Sequence, residues 1–229
     1  MQKQVIVLSL GGSLIIPDEV DVQFLKKFKE TIKRHTRKYK FVIVTGGGSV
    51  ARKYISALRE LGLNHEMQSM SGISATRMNA RFMTHFFDHN PREGIPHTIK
   101  ALEKELKKRD IVFCGALEYK PKQTSDATAV EIAEKYKTVF INITNVPGLH
   151  DKNPLEHHNA KFIPEITWKD FLKMANAKKY EPGQHFVLDQ TAAEHILKKK
   201  IPTFIVGKDL HQLDNLLSGK SFKGTIIKG

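Results

Sequence analysis

Short runs of apolar residues alternate along the chain with segments in which apolar residues recur every three or four positions. The continuous runs predict buried strands, and the spaced positions predict amphipathic helices. Strands are predicted at residues 5–8, 41–44, 111–113, 139–143, 203–206 and 225–227, the last at the edge of the sheet. This alternation indicates an α/β fold with a mostly parallel sheet covered by helices on both faces. In such sheets ligands bind at the carboxyl ends of the strands.

The predicted helices are defined by apolar positions that share one face. These positions are Leu25, Phe28 and Ile32; Val50, Tyr54, Leu58 and Leu61; Met67, Met70, Ile73, Ala80 and Met83; Ile99, Leu102 and Leu106; and Ala192, Ala193, Ile196 and Leu197. A further helix is predicted over residues 126–136. The methionines are interpreted as core residues, because flexible thioethers fill irregular gaps. Residues 145–188 are the least regular part, with one helix start at Thr167, and such segments are usually functional or mobile.

The composition is that of an ordinary soluble protein, and one domain is expected over residues 1–229. Hydrophobic residues make up 40% and charged residues 27%, and no apolar run approaches the roughly 20 residues that span a bilayer. The single cysteine, Cys114, agrees with a reducing cytoplasm. The net charge of +13 fits a solvated basic surface or anionic substrates, and it keeps nucleic-acid binding as a third hypothesis.

Two glycine-rich segments follow predicted strands and carry the clearest chemical signal. They are Gly11-Gly12-Ser13 after the first strand and Gly46-Gly47-Gly48-Ser49 after the second. Glycine lets the backbone approach a phosphate closely, and a helix N-terminus favours anions. Neither segment is a Walker A loop or a dinucleotide-binding fingerprint. Because both lie at the carboxyl ends of strands in one sheet, they predict a shared phosphate site.

Two charged residues near these segments are candidates for catalysis. Arg52 follows the triple glycine by one helical turn, so its guanidinium can reach a phosphate held there. Asp126 follows Thr124 and Ser125, a sequence that a helix cap alone explains, although the aspartate could orient a lysine or magnesium. His157 and His158 lack the spacing of a zinc site, so no metal site built by protein ligands is predicted.

Taken together, the motifs resemble those of the amino-acid kinase superfamily, and within it the archaeal-type uridylate (UMP) kinases. The similar segments are LGGSL at 10–14, TGGGSVARKY at 45–54, GISATRMNA at 72–80, TSDA at 124–127, ITNV at 143–146 and LDQTAA at 188–193. The resemblance implies a three-layer α/β/α sandwich that uses ATP and Mg²⁺ to phosphorylate UMP to UDP. It also implies a homo-oligomer, since family members are often hexamers.

The resemblance also implies roles for individual residues. The acceptor side would be mainly N-terminal and the ATP side mainly C-terminal. Residues expected to bind ATP are Gly11, Gly12, Ser13, Gly48, Arg52, Thr144, Asn145, His150 and Asn153. Residues expected to bind the acceptor are Gly46, Gly47, Ser69, Gly115 and Thr124, and Arg52 and Asp126 are the expected catalytic residues.

Several positions depart from the family pattern. Ser9 stands where most of the superfamily has a lysine, and Ser69 stands where uridylate kinases have an aspartate. Residues 117–123 form a longer loop, while Pro147, His150 and Asn153 replace Asp, Tyr and Asp around the ATP. Two alternatives therefore stay open: a kinase of the same fold with another small phosphorylated acceptor, and a nucleotide-binding regulator without turnover.

The expected mechanism is direct in-line transfer of the γ-phosphoryl group. No nucleophile with an adjacent general base is recognisable in the sequence. Positioning and charge stabilisation suffice for such transfers. The phosphate of UMP is already ionised near neutral pH, so the acceptor needs no general base.

Overall fold

The computed structural model describes residues 3–90, 92, 94–119, 124–177 and 188–229. The strands of its main sheet are β1 (Gln4–Leu10), β2 (Tyr39–Thr45), β3 (Ile111–Cys114), β4 (Phe140–Ile143), β7 (Glu165–Ile166), β8 (Thr203–Val206) and β9 (Gly224–Ile227). They form a seven-stranded sheet in the order β3-β2-β1-β4-β8-β9-β7. Neighbouring strands are parallel except β8 and β9. Two further short strands, β5 (Leu149–His150) and β6 (Phe162–Ile163), pair as a separate antiparallel hairpin.

Helices cover both faces of this sheet, which confirms the predicted three-layer α/β/α fold. They are α1 (Gly12–Ile15), α2 (Val22–His35), α3 (Gly48–Glu60), α4 (His65–Phe86), α5 (Ile99–Lys108), α6 (Ser125–Lys135), α7 (Trp168–Asn176), α8 (Gln190–Lys199) and α9 (Leu210–Leu217). Side chains of β1 alternate between the faces. Val7 packs in the core shared with α5, α6, α7 and α8, whereas Leu8 packs in the core shared with α1, α2, α4 and α9.

Three sequence-based expectations about elements are corrected. The strand at 225–227 is not at an edge, because β9 lies between β8 and β7, and β7 is the edge strand. Within residues 145–188, the described part up to residue 177 is more regular than expected, since it contains β5, β6, β7 and α7. Helix α9 was not predicted. The start of α7 was predicted correctly, because the Thr167 side chain accepts from Asp170 N at 3.1 Å.

The expectation that Met67 and Met70 pack in the core is wrong, because 56% and 42% of their surfaces are exposed. Helix α3 packs on α4 through Ala51, Ile55 and Ala75, so it is these residues that form the buried face. The helical spacing was read correctly. On α4 the expectation holds for Ile73, Ala80 and Met83, which are buried, whereas on α3 the face was assigned to the wrong side. The residues left exposed, called the α3/α4 apolar face below, are Tyr54, Leu61, Leu63, Met67, Met70 and Met78.

Candidate active site

A cleft of about 480 Å³ opens at the carboxyl ends of β1, β2 and β4. It has the size and the position expected of a ligand site in an α/β protein. Almost all the residues that the sequence singled out line it. They are Gly11, Gly12, Ser13, Gly46, Gly47, Gly48, Arg52, Ser69, Thr124, Asp126, Thr144, Asn145, His150 and Asn153.

The two glycine loops pack directly against each other at the floor of this cleft. A Cβ atom added to Gly12 would lie 2.0 Å from the backbone nitrogen of Gly48, and one added to Gly46 would lie 2.6 Å from Gly12 N. Gly48 also has φ +63°, a conformation that glycine adopts at little cost. Only glycines allow the ends of β1 and β2 to approach this closely. The same contact brings the first turns of α1 and α3 to one place.

Helix α4 holds both the triple-glycine loop and the end of β3. Asn79 Nδ2 donates to the carbonyl oxygen of Gly46 at 2.8 Å, and Ala116 N donates to Thr76 Oγ1 at 3.0 Å. Arg77 donates through Nε to the carbonyl of Ala116 at 3.1 Å and through its terminal nitrogen to the carbonyl of Leu117. The Thr-Arg-x-Asn segment therefore positions the cleft rather than lining it with charge, a role that the sequence alone did not indicate.

Gly115 is the one predicted site residue that does not line the cleft. A Cβ atom there would lie 2.6 Å from Arg77 N and from Thr76 Oγ1, so the glycine serves the close approach of β3 to α4. Its neighbour Ala116 takes its place in the lining. The predicted contact of Gly115 with the acceptor stays a prediction.

A buried serine and an aspartate form part of the floor. Ser9 is 1% exposed, and its Oγ donates to Asp126 Oδ1 at 2.6 Å. Burial, together with the charge of Asp189, raises the pKa of Asp126 to about 7, against the opposing effect of the hydrogen bond from Ser9. Ser9 therefore stands where most of the superfamily would have a lysine, and its hydroxyl holds the carboxyl group of Asp126.

Asp189 is the second carboxylate of the floor, and no role for it was predicted from the sequence. It caps α8 by accepting from Ala192 N at 3.0 Å, and it accepts a second hydrogen bond from Thr124 Oγ1. Burial raises the pKa of Asp189, while these hydrogen bonds oppose the shift. Thr124 also caps α6, since its Oγ1 accepts from Ala127 N at 3.1 Å, so one threonine ties the two acidic helix starts together.

Residues 144–156 form the wall of the cleft beyond β4. Thr144 N bonds to the carbonyl of Val206 at 3.0 Å, which anchors the start of this wall to β8. Within it, His150 Nδ1 lies 3.1 Å from the carbonyl oxygen of Gly148. Because a carbonyl only accepts, Nδ1 carries the proton and Nε2 of a neutral His150 is left as an acceptor. Asn153 is engaged locally, donating to Glu156 Oε1 at 2.7 Å and accepting from Leu155 N at 3.1 Å.

The opposite wall is built by α3 and α4 and is mainly apolar. Ala51, Ile55, Gly72 and Ile73 line it, and Ser69 adds a hydroxyl. Arg52 stands on α3 at the edge of this wall. Most of the longer loop noted at 117–123, including Lys120 and Lys122, lies outside the described residues.

Within the described ranges, no three His, Cys, Asp or Glu side chains converge on a common metal position. The same ranges contain no helix both long and apolar enough to cross a membrane.

Comparison with known proteins agrees with this geometry. The model of the amino acid kinase family matches residues 4–207, and the chain therefore belongs to that family. It is 34% identical over 226 residues to a uridylate kinase of Thermoplasma volcanium, covering 97% of each chain. It is 31% identical to a uridylate kinase of Thermococcus kodakarensis, covering 97% of this chain and 99% of the relative.

A solved structure resembles the whole fold. The crystal structure of a uridylate kinase from Archaeoglobus fulgidus superimposes with a TM-score of 0.81 at 30% identity. The match covers 99% of this chain and all of that one. The predicted resemblance to uridylate kinases is thereby confirmed.

Proposed function

We propose that this protein transfers the γ-phosphoryl group of ATP to UMP and produces UDP. The observation that carries the proposal is the cleft itself, in which two interlocked glycine loops, Arg52 and two carboxylates meet at the ends of β1, β2 and β4. Such a floor provides N–H donors and a guanidinium for phosphates, which are the parts that phosphoryl transfer uses. The names of the relatives support the choice of UMP as acceptor.

Direct in-line transfer fits the side chains of the cleft. The only cysteine, Cys114, is fully buried, and burial raises the pKa of its thiol to about 12, which makes it a poor nucleophile. Ser9 Oγ is a hydrogen-bond donor to Asp126 and is almost inaccessible. Catalysis then rests on positioning both phosphates and on compensating their charge.

The donor set of the floor suits Mg²⁺. This cation prefers oxygen ligands and is usually bound by one or two carboxylates together with the phosphates of the substrate. Asp126 and Asp189 supply two carboxylates that line the cleft together with the amide of Asn142. Asp126 and Asp189 are therefore the residues that would hold Mg²⁺. When bound, the ion would neutralise charge on the phosphates, while Ser9 and Thr124 keep the two carboxyls oriented.

The wall beyond β4 supports ATP as the donor. A neutral His150 presents Nε2 as an acceptor, which can receive a hydrogen bond from the exocyclic amino group of adenine. Guanine carries a carbonyl at the equivalent position and cannot donate there. Val146, Leu149 and Leu155 provide apolar surface in the same part of the cleft. The N-terminal elements then form most of the acceptor side and the C-terminal elements most of the ATP side.

A screen of acceptors tests the function. The protein is incubated with ATP and Mg²⁺ and with UMP, CMP, AMP, GMP or small non-nucleotide phosphates, and ADP release is followed. UMP is expected to give the highest kcat/KM. A different preferred acceptor would retain the kinase assignment and reject UMP.

A nucleotide-binding regulator without turnover is the second candidate. The observation that favours it concerns Asn153. Its side-chain amide donates to Glu156 and accepts from Leu155 N, so it is not free to bind a nucleotide. Calorimetry would then detect binding of ATP or UMP, while no UDP would form in a coupled assay.

A homo-oligomer in the cytoplasm belongs to the same proposal. The α3/α4 apolar face exposes large hydrophobic side chains on neighbouring helices, and surfaces of this kind mark protein contacts. A second copy of the chain is the partner that the family resemblance supports. Light scattering is expected to give a mass above 26.0 kDa, and Met67→Glu should lower it.

A further inference from the structure

Lys152 lines the cleft and was not singled out from the sequence. In the part of the chain that the structure describes, Arg52 and Lys152 are the arginine and lysine side chains of the lining. They approach from different sides. Arg52 follows β2 and Lys152 belongs to the segment after β4, and β2 and β4 flank β1 in the sheet. The glycine loop that follows β1 therefore lies between the elements that carry the two cations.

The backbone around Lys152 is held on both sides. Asp151 N donates to the carbonyl of Lys161 at 3.0 Å, and Lys161 N donates to Asp151 Oδ1 at 2.8 Å. On the other side, Asn153 accepts from Leu155 N at 3.1 Å. The side chains of Asp151 and Asn153 are thus used within the loop, while that of Lys152 is half-buried in the cleft lining.

Lys152 has no ion-pair partner among the described residues, although many lysines of this chain do. The nearest acid in sequence that lines the cleft, Glu156, instead accepts from Asn153 at 2.7 Å. A half-buried ammonium without an anion is costly in a cleft that stays closed to ligands. It is a favourable arrangement in a cleft that receives a polyanion.

We propose that Lys152 binds the phosphates of the donor nucleotide, from the side of the cleft opposite Arg52. This rests on the proposed function, because that function makes the ligand a nucleoside triphosphate. The acidic floor of Asp126 and Asp189 repels phosphate unless cations compensate it, and Lys152 provides a positive charge on the donor side. The lysine ammonium is a point charge on a flexible stem, which lets it stay with a phosphate that moves during transfer.

The test is a ladder of ligands, that is, a series in which each ligand has one phosphate fewer than the one before. Their affinities are measured by calorimetry without acceptor. ATP, ADP, AMP and adenosine are titrated into the wild type, Lys152→Met, Lys152→Arg and Lys161→Met. Lys161 is an exposed lysine of the same hairpin and controls for the loss of one charge. Lys152→Met is expected to weaken ATP and ADP about tenfold and to leave adenosine unchanged, with Lys152→Arg close to wild type. Lys161→Met should match the wild type throughout.

Two outcomes would overturn the proposal: an equal loss for all four ligands, which indicates a role in folding the loop, or no loss for any of them. A wild type that binds none of the ligands also rejects it. If Lys152→Met proves unfolded in a melting curve, Lys152→Gln is measured in its place. If ATP binds and the ladder holds but no UDP is formed, the proposed function fails while the role of Lys152 stands.

Discussion

The two walls of the cleft differ in the side chains that they present to a ligand. The α3/α4 wall is mainly apolar, with Ile55 and Ile73 as its large side chains and Ser69 as its polar group. The wall formed by residues 144–156 carries Lys152 and His150, and its Asp151, Asn153 and Glu156 side chains hold its own loop. In the proposed function, charge would therefore be handled at the floor and on the donor wall, whereas the acceptor would meet a mainly apolar surface. Four experiments test this difference between the walls.

The largest effect is expected at the floor. Asp126→Asn removes a carboxylate that, in the proposed function, would act on the phosphates through Mg²⁺, and kcat should fall by at least about 100-fold, as for the loss of one preorganised electrostatic group. Asp18→Asn, on an exposed loop, is the control and should keep full activity. Steady-state rates with saturating ATP and UMP measure both. Full activity of the Asp126→Asn protein would show that the Asp126 carboxylate takes no part in the reaction.

Arg52→Ala tests the cation at the edge of the acceptor wall. A charge-assisted hydrogen bond to phosphate is worth about 1.5–3 kcal/mol, so transfer should slow by about one to two orders of magnitude. Among the described residues, the Arg52 side chain has no hydrogen-bond or ion-pair partner that would be left unpaired in the variant. The melting temperature should therefore change little. Lys53→Ala, exposed at the next position of α3, is the matched control. Full activity of the Arg52 variant, or simple unfolding, would contradict the assignment.

Ser69→Asp tests the contribution of the polar group on the acceptor wall to UMP binding. A neutral hydroxyl accepts weaker hydrogen bonds than a carboxylate, and the difference is about 1–2 kcal/mol, or five- to thirty-fold in affinity. UMP should therefore bind more tightly to Ser69→Asp than to the wild type in a calorimetric titration. Ser74→Asp, on the exposed side of the same helix, should bind UMP as the wild type does. Unchanged affinity in Ser69→Asp, with tight binding already in the wild type, would make Ser69 a mere packing residue.

The smallest effect concerns stability and pH. Burial raises the pKa of Asp126 to about 7, above the ordinary value of 3.8, so the folded protein holds a proton that the unfolded chain has lost between these values. The free energy of unfolding should therefore fall as pH rises from about 4 to about 7, by about 1–2 kcal/mol once water in the cleft is allowed for. Denaturant titrations of the metal-free protein measure it. Asp126→Asn should lose this part of the slope; an identical slope in the variant would contradict the buried, protonated carboxyl.

Much of the fold followed from the sequence because buried strands and helix starts have local signals. The runs at 41–44 and 203–206 proved to be β2 and β8, and Thr167 proved to cap α7. The buried face of α3 and the first part of α4 were assigned wrongly, since periodicity locates an apolar stripe but does not say what covers it. The edge position was also assigned wrongly, because β7 is only two residues long and its pairing with β9 is non-local.

The site was predicted where glycine and charge follow a strand, and missed where roles depend on distant partners. The glycine loops were found, yet their mutual contact at Gly12 and Gly48 is visible only in three dimensions. Asp189 lies 63 residues after Asp126 in the sequence, and only the meeting of α6 and α8 reveals the pair. Gly115 was a plausible site residue because it follows β3, but its backbone packs closely against α4.

The central claim, direct transfer in this cleft, is tested by a single-turnover experiment with ATP labelled in the γ-phosphoryl group. The protein, in excess over labelled ATP, is mixed with Mg²⁺ and UMP and quenched at short times. The account predicts that label passes from ATP to UDP with no labelled protein at any time, and that Asp126→Asn transfers far more slowly. Label that appears first on the protein, or that reaches only inorganic phosphate, would contradict it.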